Sequence, residues 1–165
     1  MIAARIQLSH LIRRVEALDS AGVYSVEREC FHDPFPQKLL DDLMRTEHDR
    51  FFVAVEDGKI IGYAVGRASG KNGHVDSVAV APRHRRRGIG KALLSAVTHR
   101  LIEEGVEQIH LEVRKGNTAA ISFYERMGFH VSSEIRRYYA DGEDAWVLKR
   151  TLASEGSESL GGFLL

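Results

Sequence analysis

The chain has 165 residues, of which 44% are hydrophobic and 28% are charged, and this composition is typical of one globular domain. Its 23 basic and 23 acidic residues cancel, so the net charge does not favour nucleic acid or an anionic membrane as a partner. The sequence has no apolar run of about eighteen residues, which excludes a membrane-spanning helix. Residues 1–10 lack a secretory signal core, and Cys30 is the single cysteine. We therefore expect a cytoplasmic protein in which Cys30 is a packed thiol.

Helical and strand patterns alternate along the chain and predict one α/β domain. Asp19 is a candidate helix cap, the prolines of 34–36 break that helix, and Asp57-Gly58 fits a tight hairpin turn. The predicted elements in chain order are a strand over 11–17, helices over 19–30 and 37–46, strands over 51–56, 59–66 and 74–81, a helix over 89–101, a strand over 106–114, a helix between Asn117 and Gly128, and strands over 129–138 and 145–152. We expect residues 1–152 to form one domain with a mixed sheet, antiparallel at its N-terminal end and flanked by helices. Residues 153–165, rich in Ser, Glu and Gly, are expected to be a disordered tail.

A basic turn lies between the strand that ends near Ala81 and the helix that begins at Ile89. The amides at a helix N-terminus attract anions, and glycines allow a phosphate to approach the backbone closely. A P-loop would need glycine in place of Arg85, and the dinucleotide fingerprint would need glycine in place of Leu93, so both motifs are excluded. A solvated basic turn and a nucleic-acid contact remain as alternatives, although no aromatic residues are interleaved with the basic ones.

The pattern Arg85-x-x-Gly88-x-Gly90 resembles the acetyl-CoA signature of the GNAT superfamily of N-acetyltransferases. Two further blocks, 111–129 and 137–145, resemble the RimI-type enzymes and their archaeal relatives, which acetylate the α-amino groups of proteins. The resemblance covers most of residues 74–152. It implies the GNAT fold, in which two central strands splay apart and the pantetheine arm of acetyl-CoA lies between them.

By this resemblance, acetyl-CoA is the co-substrate. The strand before the basic turn would contact the acetyl and pantetheine parts, the turn would hold the pyrophosphate, and Asn117 would contact the cofactor elsewhere. The cofactor residues implied in this way are Val78, Ala79, Val80, Arg85, Arg86, Arg87, Gly88, Ile89, Gly90, Lys91 and Asn117. Because no Cys/His cluster has the spacing of metal ligands, the sequence predicts no metal site.

Acetyl transfer to an amine needs a neutral amine, stabilisation of an oxyanion and a proton for the leaving thiolate. The resemblance implies Glu112 as the base, directly or through water, Tyr124 as the acid, and His74 as a secondary catalytic candidate. The residue pattern alone is also consistent with purely structural roles for these three residues. Glu112 shares a polar strand face with His110 and Arg114, Tyr124 lies on an apolar helix stripe, and a single histidine is often structural.

Substrate residues follow from the same resemblance. Phe31, Pro34 and Phe35 lie in the loop that walls the pocket for the first substrate residue in that family, and Tyr138 and Tyr139 match residues that hold the peptide backbone. Phe35 replaces a frequent tryptophan, which leaves the side-chain preference open, and ordinary apolar packing is the alternative for this loop. We expect protein or peptide N-termini as partners, ribosomal proteins among them, with no need for nucleic acid or membrane. Lysine side chains or a small amine, and a non-catalytic acyl-CoA-binding module, are the competing functions.

Overall fold

The computed structural model describes residues 10–152, and the predicted tail over 153–165 lies outside the described residues. The helices are α1 (Ser20–Cys30), α2 (Gln37–Thr46), α3 (Ile89–Glu103) and α4 (Thr118–Arg126). The strands are β1 (Leu11–Arg14), β2 (Phe51–Glu56), β3 (Lys59–Ser69), β4 (Asn72–Val80), β5 (Gln108–Arg114), β6 (His130–Ile135) and β7 (Ala145–Thr151). Within residues 10–152, no helix has the length and apolar character needed to cross a membrane.

Hydrogen bonds join the strands into a seven-stranded mixed sheet in the order β1-β2-β3-β4-β5-β7-β6, which confirms the expected α/β class. β2 is antiparallel to β1 and β3, and β7 is antiparallel to β5 and β6. β4 and β5 are parallel over a short ladder that pairs Asn72 with Gln108, Gly73 with Ile109 and His74 with His110. Both strands extend past this ladder, β4 to Val80 and β5 to Arg114.

Most predicted boundaries agree with the structure to within a few residues, and those of α2 and β2 agree exactly in both bounds. Asp57 and Gly58 have φ values of 49° and 75°, as the predicted hairpin turn requires. The prediction for β1 was too long, because a 3-10 turn occupies Ala17–Asp19. That for β6 was also too long: the strand ends at Ile135, and Arg137 then takes a left-handed φ of 50°, which a strand does not allow.

Asp19 stands at the predicted cap position of α1, but its carboxylate has a different role. It accepts two hydrogen bonds from the Arg13 guanidinium, at 2.7 and 2.9 Å, and one from the backbone amide of Glu16 at 2.7 Å. The α1 N-terminus therefore receives no hydrogen bond from this side chain. Asp19 instead joins β1 to the turn that leads into α1.

Residues 10–152 divide into two compact units, one made of residues 10–67 and Val75–Leu101, the other of Ala68–His74 and residues 102–152. In the first unit, side chains of α1, α2 and the β2–β3 hairpin form the core. Its Phe51 and Tyr63 rings stack with their centroids 5.5 Å apart. The core residues of this unit are Val15, Val23, Val26, Leu40, Met44, Phe51, Val53, Tyr63, Val65 and Ala79.

In the second unit, β5 alternates strictly between its two faces. Ile109, Leu111 and Val113 are buried, while His110 and Glu112 on the opposite face are only half-buried. This period of two is the pattern of a strand with one face in the core. The predicted polar face of β5 is therefore confirmed.

The first unit contains a buried polar network centred on Glu27, which the sequence analysis did not predict. The Glu27 carboxylate accepts hydrogen bonds from the Phe35 amide, at 2.8 Å, and from the Tyr63 hydroxyl. The Tyr63 oxygen in turn accepts a hydrogen bond from the Ser77 hydroxyl, with the two oxygens 3.0 Å apart. Burial raises the pKa of Glu27, and the hydrogen bonds from Tyr63 and Phe35 only partly oppose this shift. The network fastens the loop between α1 and α2 to strands β3 and β4.

We expect Glu27→Ala to lower the free energy of unfolding by about 2–4 kcal/mol, because it leaves the Phe35 amide and the Tyr63 hydroxyl buried without their acceptor. Glu27→Gln is the matched control, since its carbonyl can accept from Phe35 and its NH2 group can donate to Tyr63. Urea unfolding followed by circular dichroism measures both. A loss in Glu27→Ala no larger than in Glu27→Gln would contradict this network.

The pH dependence of the same unfolding experiment tests the raised pKa of Glu27. The pKa of Glu27 in the folded state lies above its ordinary value of 4.5. Such a carboxyl group stabilises the fold fully at a pH below 4.5. This stabilisation is lost as the pH rises through the folded-state pKa. We therefore expect the stability of the wild-type protein, relative to Glu27→Gln, to fall as the pH is raised above 4.5.

Candidate active site

The basic turn of the first unit leads from β4 into α3 with two residues in the left-handed region. Arg86 has φ of 62° and Gly88 has φ of 78°. α3 begins at the next residue, Ile89, whose side chain is buried. The first amides of a helix have no partner within the helix, and its dipole is positive at this end. With Arg86 and Lys91 exposed beside it, this helix terminus has the character of an anion site.

The arginines of the turn differ in what they contact. Arg87 binds the Glu56 carboxylate at the end of β2, with its closest contact at 2.6 Å, and His84 lies 3.1 Å from the same carboxylate. Arg85 donates from Nε to the Val80 carbonyl at 2.9 Å. Arg87 thus ties the turn to the β2–β3 hairpin, while Arg85 folds back on the end of β4.

The end of β4 follows the same alternation as β5. Ser77 and Ala79 are buried, whereas Val78 and Val80 lie on the half-buried face. The Val80 carbonyl oxygen also accepts a hydrogen bond from the Cys30 thiol, with the sulfur 3.3 Å away. Val78, Ala79 and Val80 are therefore the last residues of β4, and the basic turn follows after Ala81.

In the second unit, the register of β4 and β5 brings three titratable side chains together. His74 lies opposite His110 in the parallel ladder, and their rings are 4.6 Å apart between centroids. His74 Nε2 is 2.6 Å from Glu112 Oε2. The sequence predicts His74 and Glu112 as two separate candidates, and the structure shows that they form a hydrogen-bonded pair.

Glu112 is held as a carboxylate in this cluster. Burial by itself raises its pKa, but the hydrogen bond from His74 and the charges of His74 and His110 outweigh burial, so the pKa lies below its ordinary value. Burial and the neighbouring His74 lower the pKa of His110, although Glu112 opposes them. The group that results is an ionised carboxylate beside a hydrogen-bonded imidazole.

Tyr124 projects from α4 in the same unit. Its ring contacts Phe123, with centroids 5.1 Å apart, and meets Phe129 edge-on at 5.9 Å. Burial raises the pKa of its phenol well above the ordinary value, and the nearby Tyr139 adds to this shift. Tyr124 therefore keeps its proton at neutral pH and can act as a hydrogen-bond donor.

Tyr139 lies in the loop between β6 and β7. The Arg114 guanidinium stacks 4.0 Å from the centroid of its ring and also binds Asp141 at 2.8 Å and Glu143 at 3.1 Å. Burial, with a contribution from Tyr138, raises the pKa of Tyr139 to about 12. Tyr138 is exposed and meets Tyr139 edge-on, at 5.0 Å between centroids. Charged contacts at the end of β5 thus hold this loop in place.

The remaining predicted residues lie in two places. Phe31 is exposed, and Pro34 and Phe35 are half-buried, in the loop between α1 and α2 that Glu27 fastens through the Phe35 amide. In the second unit, Asn117 caps α4, because its Oδ1 accepts a hydrogen bond from the Ala120 amide at 3.1 Å. The predicted cap is confirmed.

Two residues of interest were missed by the sequence analysis. Glu27 stands four positions after Val23 and next to Val26, so it lies on the buried stripe of α1. A charged residue on such a stripe indicates a buried polar contact, and this signal was present in the sequence. His110 was recorded only as part of a polar strand face. Its neighbour His74 is distant in sequence, and only the strand register brings them together.

Residues 20–129 match the model of the acetyltransferase (GNAT) family. The chain belongs to the GNAT acetyltransferase family. It is 34% identical to an N-alpha-acetyltransferase of Sulfurisphaera tokodaii over 86% of this chain and 92% of the relative. It is 31% identical to the ribosomal protein bS18-alanine N-acetyltransferase of Escherichia coli over 83% of this chain and 94% of that enzyme. The crystal structure of Ard1 from Thermoplasma volcanium superposes with a TM-score of 0.85 at 30% identity, covering 88% of this chain and 99% of that chain.

Membership of the GNAT family makes the protein an acetyltransferase and acetyl-CoA its donor, so both predictions are confirmed. The mixed sheet with helices agrees with the fold of its structural neighbours. The basic turn suits the donor chemically, since a diphosphate is bound well by helix-terminal amides together with exposed cations.

Asn117→Ala should destabilise the GNAT domain by about 1 kcal/mol, because it removes the acceptor for the Ala120 amide at the α4 N-terminus. Asn117→Asp keeps an oxygen at this position and should remain close to the wild-type stability. Thermal and urea unfolding of the three proteins checks this expectation. Equal stability of the alanine and aspartate variants would show that the cap contributes nothing.

Proposed function

We propose that the protein transfers the acetyl group of acetyl-CoA to the α-amino group of protein N-termini, with ribosomal proteins among the candidate substrates. The observation that carries the proposal is the pair of opposed environments in the second unit. The pKa of Glu112, which is hydrogen-bonded to His74, is lowered, while burial raises the pKa of the Tyr124 phenol, so the two values are moved apart. Two titratable groups held in opposite states are the usual arrangement of a base and an acid. The similarity to enzymes named as N-alpha-acetyltransferases supports the same substrate class.

In this proposal the first unit binds the donor. The backbone of Val78, Ala79 and Val80 contacts the acetyl and pantetheine parts, and Asn117 in the second unit also contacts acetyl-CoA. The pyrophosphate is held by the turn residues Arg85, Arg86, Arg87, Gly88, Ile89, Gly90 and Lys91. Arg87 also binds Glu56 and thereby fixes the turn, so we assign the charge for the pyrophosphate mainly to Arg86 and Lys91.

Glu112 takes a proton from the attacking amine, directly or through a water molecule, and His74 holds the carboxylate in position or acts as a second base. The amine nitrogen then forms a bond to the thioester carbonyl carbon, and the carbon–sulfur bond breaks. Tyr124 donates its hydroxyl proton to the leaving sulfur. Because an α-amino group has a pKa near ~8, against ~10.4 for lysine, a modest base suffices for N-terminal substrates.

Two groups of residues are proposed to bind the N-terminal peptide. Phe31, Pro34 and Phe35 wall the pocket for its first residue, and Tyr138 and Tyr139 contact its backbone. The loop that carries the first group is fastened by Glu27, and the loop that carries the second by Arg114. Fixed loops are needed because a bound peptide gains affinity when its partner is already ordered.

We also propose that residues 1–152 form the catalytic domain and that the enzyme works in the cytoplasm, without a requirement for nucleic acid or membrane. The support for the compartment is the free thiol of Cys30, which suits a reducing environment. The balanced charge of the chain supports the absence of a nucleic-acid partner.

A peptide panel with free N-termini, blocked N-termini and internal lysines tests the function. We expect acetyl-CoA to modify only the free N-termini, as measured by mass spectrometry. Glu112→Gln and Tyr124→Phe should each lower kcat by about 100-fold, because each removes a proton-transfer group. Glu107→Gln, an exposed carboxylate just before β5, is the matched control and should keep the wild-type rate.

Transfer mainly to lysine would replace this proposal with a lysine acetyltransferase. Binding of acetyl-CoA without any transfer would favour an acyl-CoA-binding module. Wild-type rates in both Glu112→Gln and Tyr124→Phe would refute the roles given to these residues, even if the substrate class were correct.

Gly88→Ala and Gly105→Ala form a matched pair at the two ends of α3. Both glycines have left-handed φ values, 78° and 83°, and an added Cβ would meet no atom of the described chain within 4 Å. Each substitution should therefore cost about 1 kcal/mol of stability through backbone strain alone. Only Gly88→Ala should weaken coenzyme A binding in calorimetry, because only Gly88 lies in the proposed pyrophosphate turn. An equal loss of affinity in both variants would contradict this placement.

A further inference from the structure

Two imidazoles and a carboxylate converge on one face of β4 and β5 in the second unit. One potential ligand atom from each of His74, His110 and Glu112 lies within 4.8 Å of the others. The sequence predicted no metal site because these residues have no metal-binding spacing, since His74 and Glu112 are 38 positions apart. We propose that His74, His110 and Glu112 form a zinc-binding site.

The donor set selects the class of metal. Two histidine nitrogens and one carboxylate oxygen are a ligand set that binds Zn²⁺ and leaves a fourth position open. Mg²⁺ and Ca²⁺ prefer oxygen ligands alone and would be bound poorly here. All three side chains are only half-buried, so an ion from solution can reach them.

The distances allow coordination with small side-chain movements. Zinc ligands at about 2.0–2.1 Å from the metal in a tetrahedral arrangement lie roughly 3.3–3.5 Å from one another. His74 Nε2 and Glu112 Oε2 are 2.6 Å apart, so these two atoms have to separate by roughly 0.7–0.9 Å. The nitrogen of His74 that now makes this bond must offer its lone pair to the metal, which places the ring proton on Nδ1.

The strands hold the three ligands before any metal is bound. His74 and His110 are register partners in the parallel ladder, and Glu112 lies two residues further along β5 on the same face. The rings of His74 and His110 also pack against each other, with their centroids 4.6 Å apart.

One nearby charge acts against the site. Lys149 on β7 is the register partner of His110, and its positive charge repels a cation. Removing this charge should therefore tighten zinc binding. A variant of Lys149 that has no charge should therefore raise the zinc affinity, whereas a variant that removes a ligand should lower it.

The consequence for activity rests on the proposed function. Zinc at this position would occupy the Glu112 oxygen and the His74 nitrogen that are assigned to the base. Zinc binding should therefore inhibit acetyl transfer, and its removal with a chelator should restore the rate.

The experiment titrates untagged, full-length protein with Zn²⁺ in competition with a chromophoric chelator. We expect one zinc ion per chain, an affinity at least about tenfold lower in His110→Gln, and a higher affinity in Lys149→Met. His48→Gln is the matched control, because His48 also lies beside a carboxylate, 3.7 Å from Asp49, but in the other unit. It should bind zinc as the wild type does, and Mg²⁺ should not compete.

Equal zinc affinity in the wild type and His110→Gln would overturn the site. If His110→Gln fails to fold, as judged by circular dichroism, Glu112→Gln supplies the same test by removing the anionic ligand. Acetyl transfer is compared with and without zinc within each variant, and an unchanged rate of the zinc-loaded wild type would refute the inhibition. If no transfer to any amine is found, the proposed function fails, while the chelator titration still decides the zinc site.

Discussion

The parallel register of β4 and β5 is the constraint on which the candidate chemistry of this protein depends. It sets His74 opposite His110 and brings the His74 imidazole within 2.6 Å of Glu112. A slip of one residue would turn His74 to the opposite face of β4, because successive side chains in a strand alternate between faces. The same register accounts for both the ionised state of Glu112 and the three-ligand cluster. Parallel strands need a long crossover between them, and α3 with its adjoining turns lies in the chain between this pair.

The surroundings of two titratable groups in the second unit favour opposite protonation states. Glu112 is surrounded by imidazoles that favour its charged form, whereas Tyr124 lies against Phe123 and Phe129, which favour the neutral form. Both groups are partly removed from water, so the difference in the protonation state that is favoured comes from the neighbours of each group. Arg114 contributes in another way, by stacking on Tyr139 and binding the acidic residues of the same loop. The positive charge of Arg114 thereby stabilises the loop between β6 and β7.

The first unit uses polar contacts of two carboxylates to fix segments that have little regular structure. Glu27 fastens the loop between α1 and α2 through the Phe35 amide, and Glu56 fastens the basic turn through Arg87. Both contacts join a loop to the β2–β3 hairpin or its neighbouring strand. A buried or paired carboxylate is costly unless its partners remain in place, so each contact favours a single loop conformation. This is the property that a binding loop needs.

The sequence by itself determined the α/β class, the bounds of α2 and β2, the hairpin turn at Asp57 and Gly58, and the cap of α4 at Asn117. These features depend on local backbone preferences, hydrophobic period and turn chemistry, all of which act over a few residues. The family resemblance also identified Glu112, Tyr124 and His74 as residues of interest. Tertiary structure alone decided that His74 contacts Glu112, that His110 completes a cluster with them, that Asp19 binds Arg13, and that Glu27 binds Tyr63. Each of these contacts depends on how strands pair or helices pack, and side-chain partners distant along the chain leave no periodic signal in the sequence.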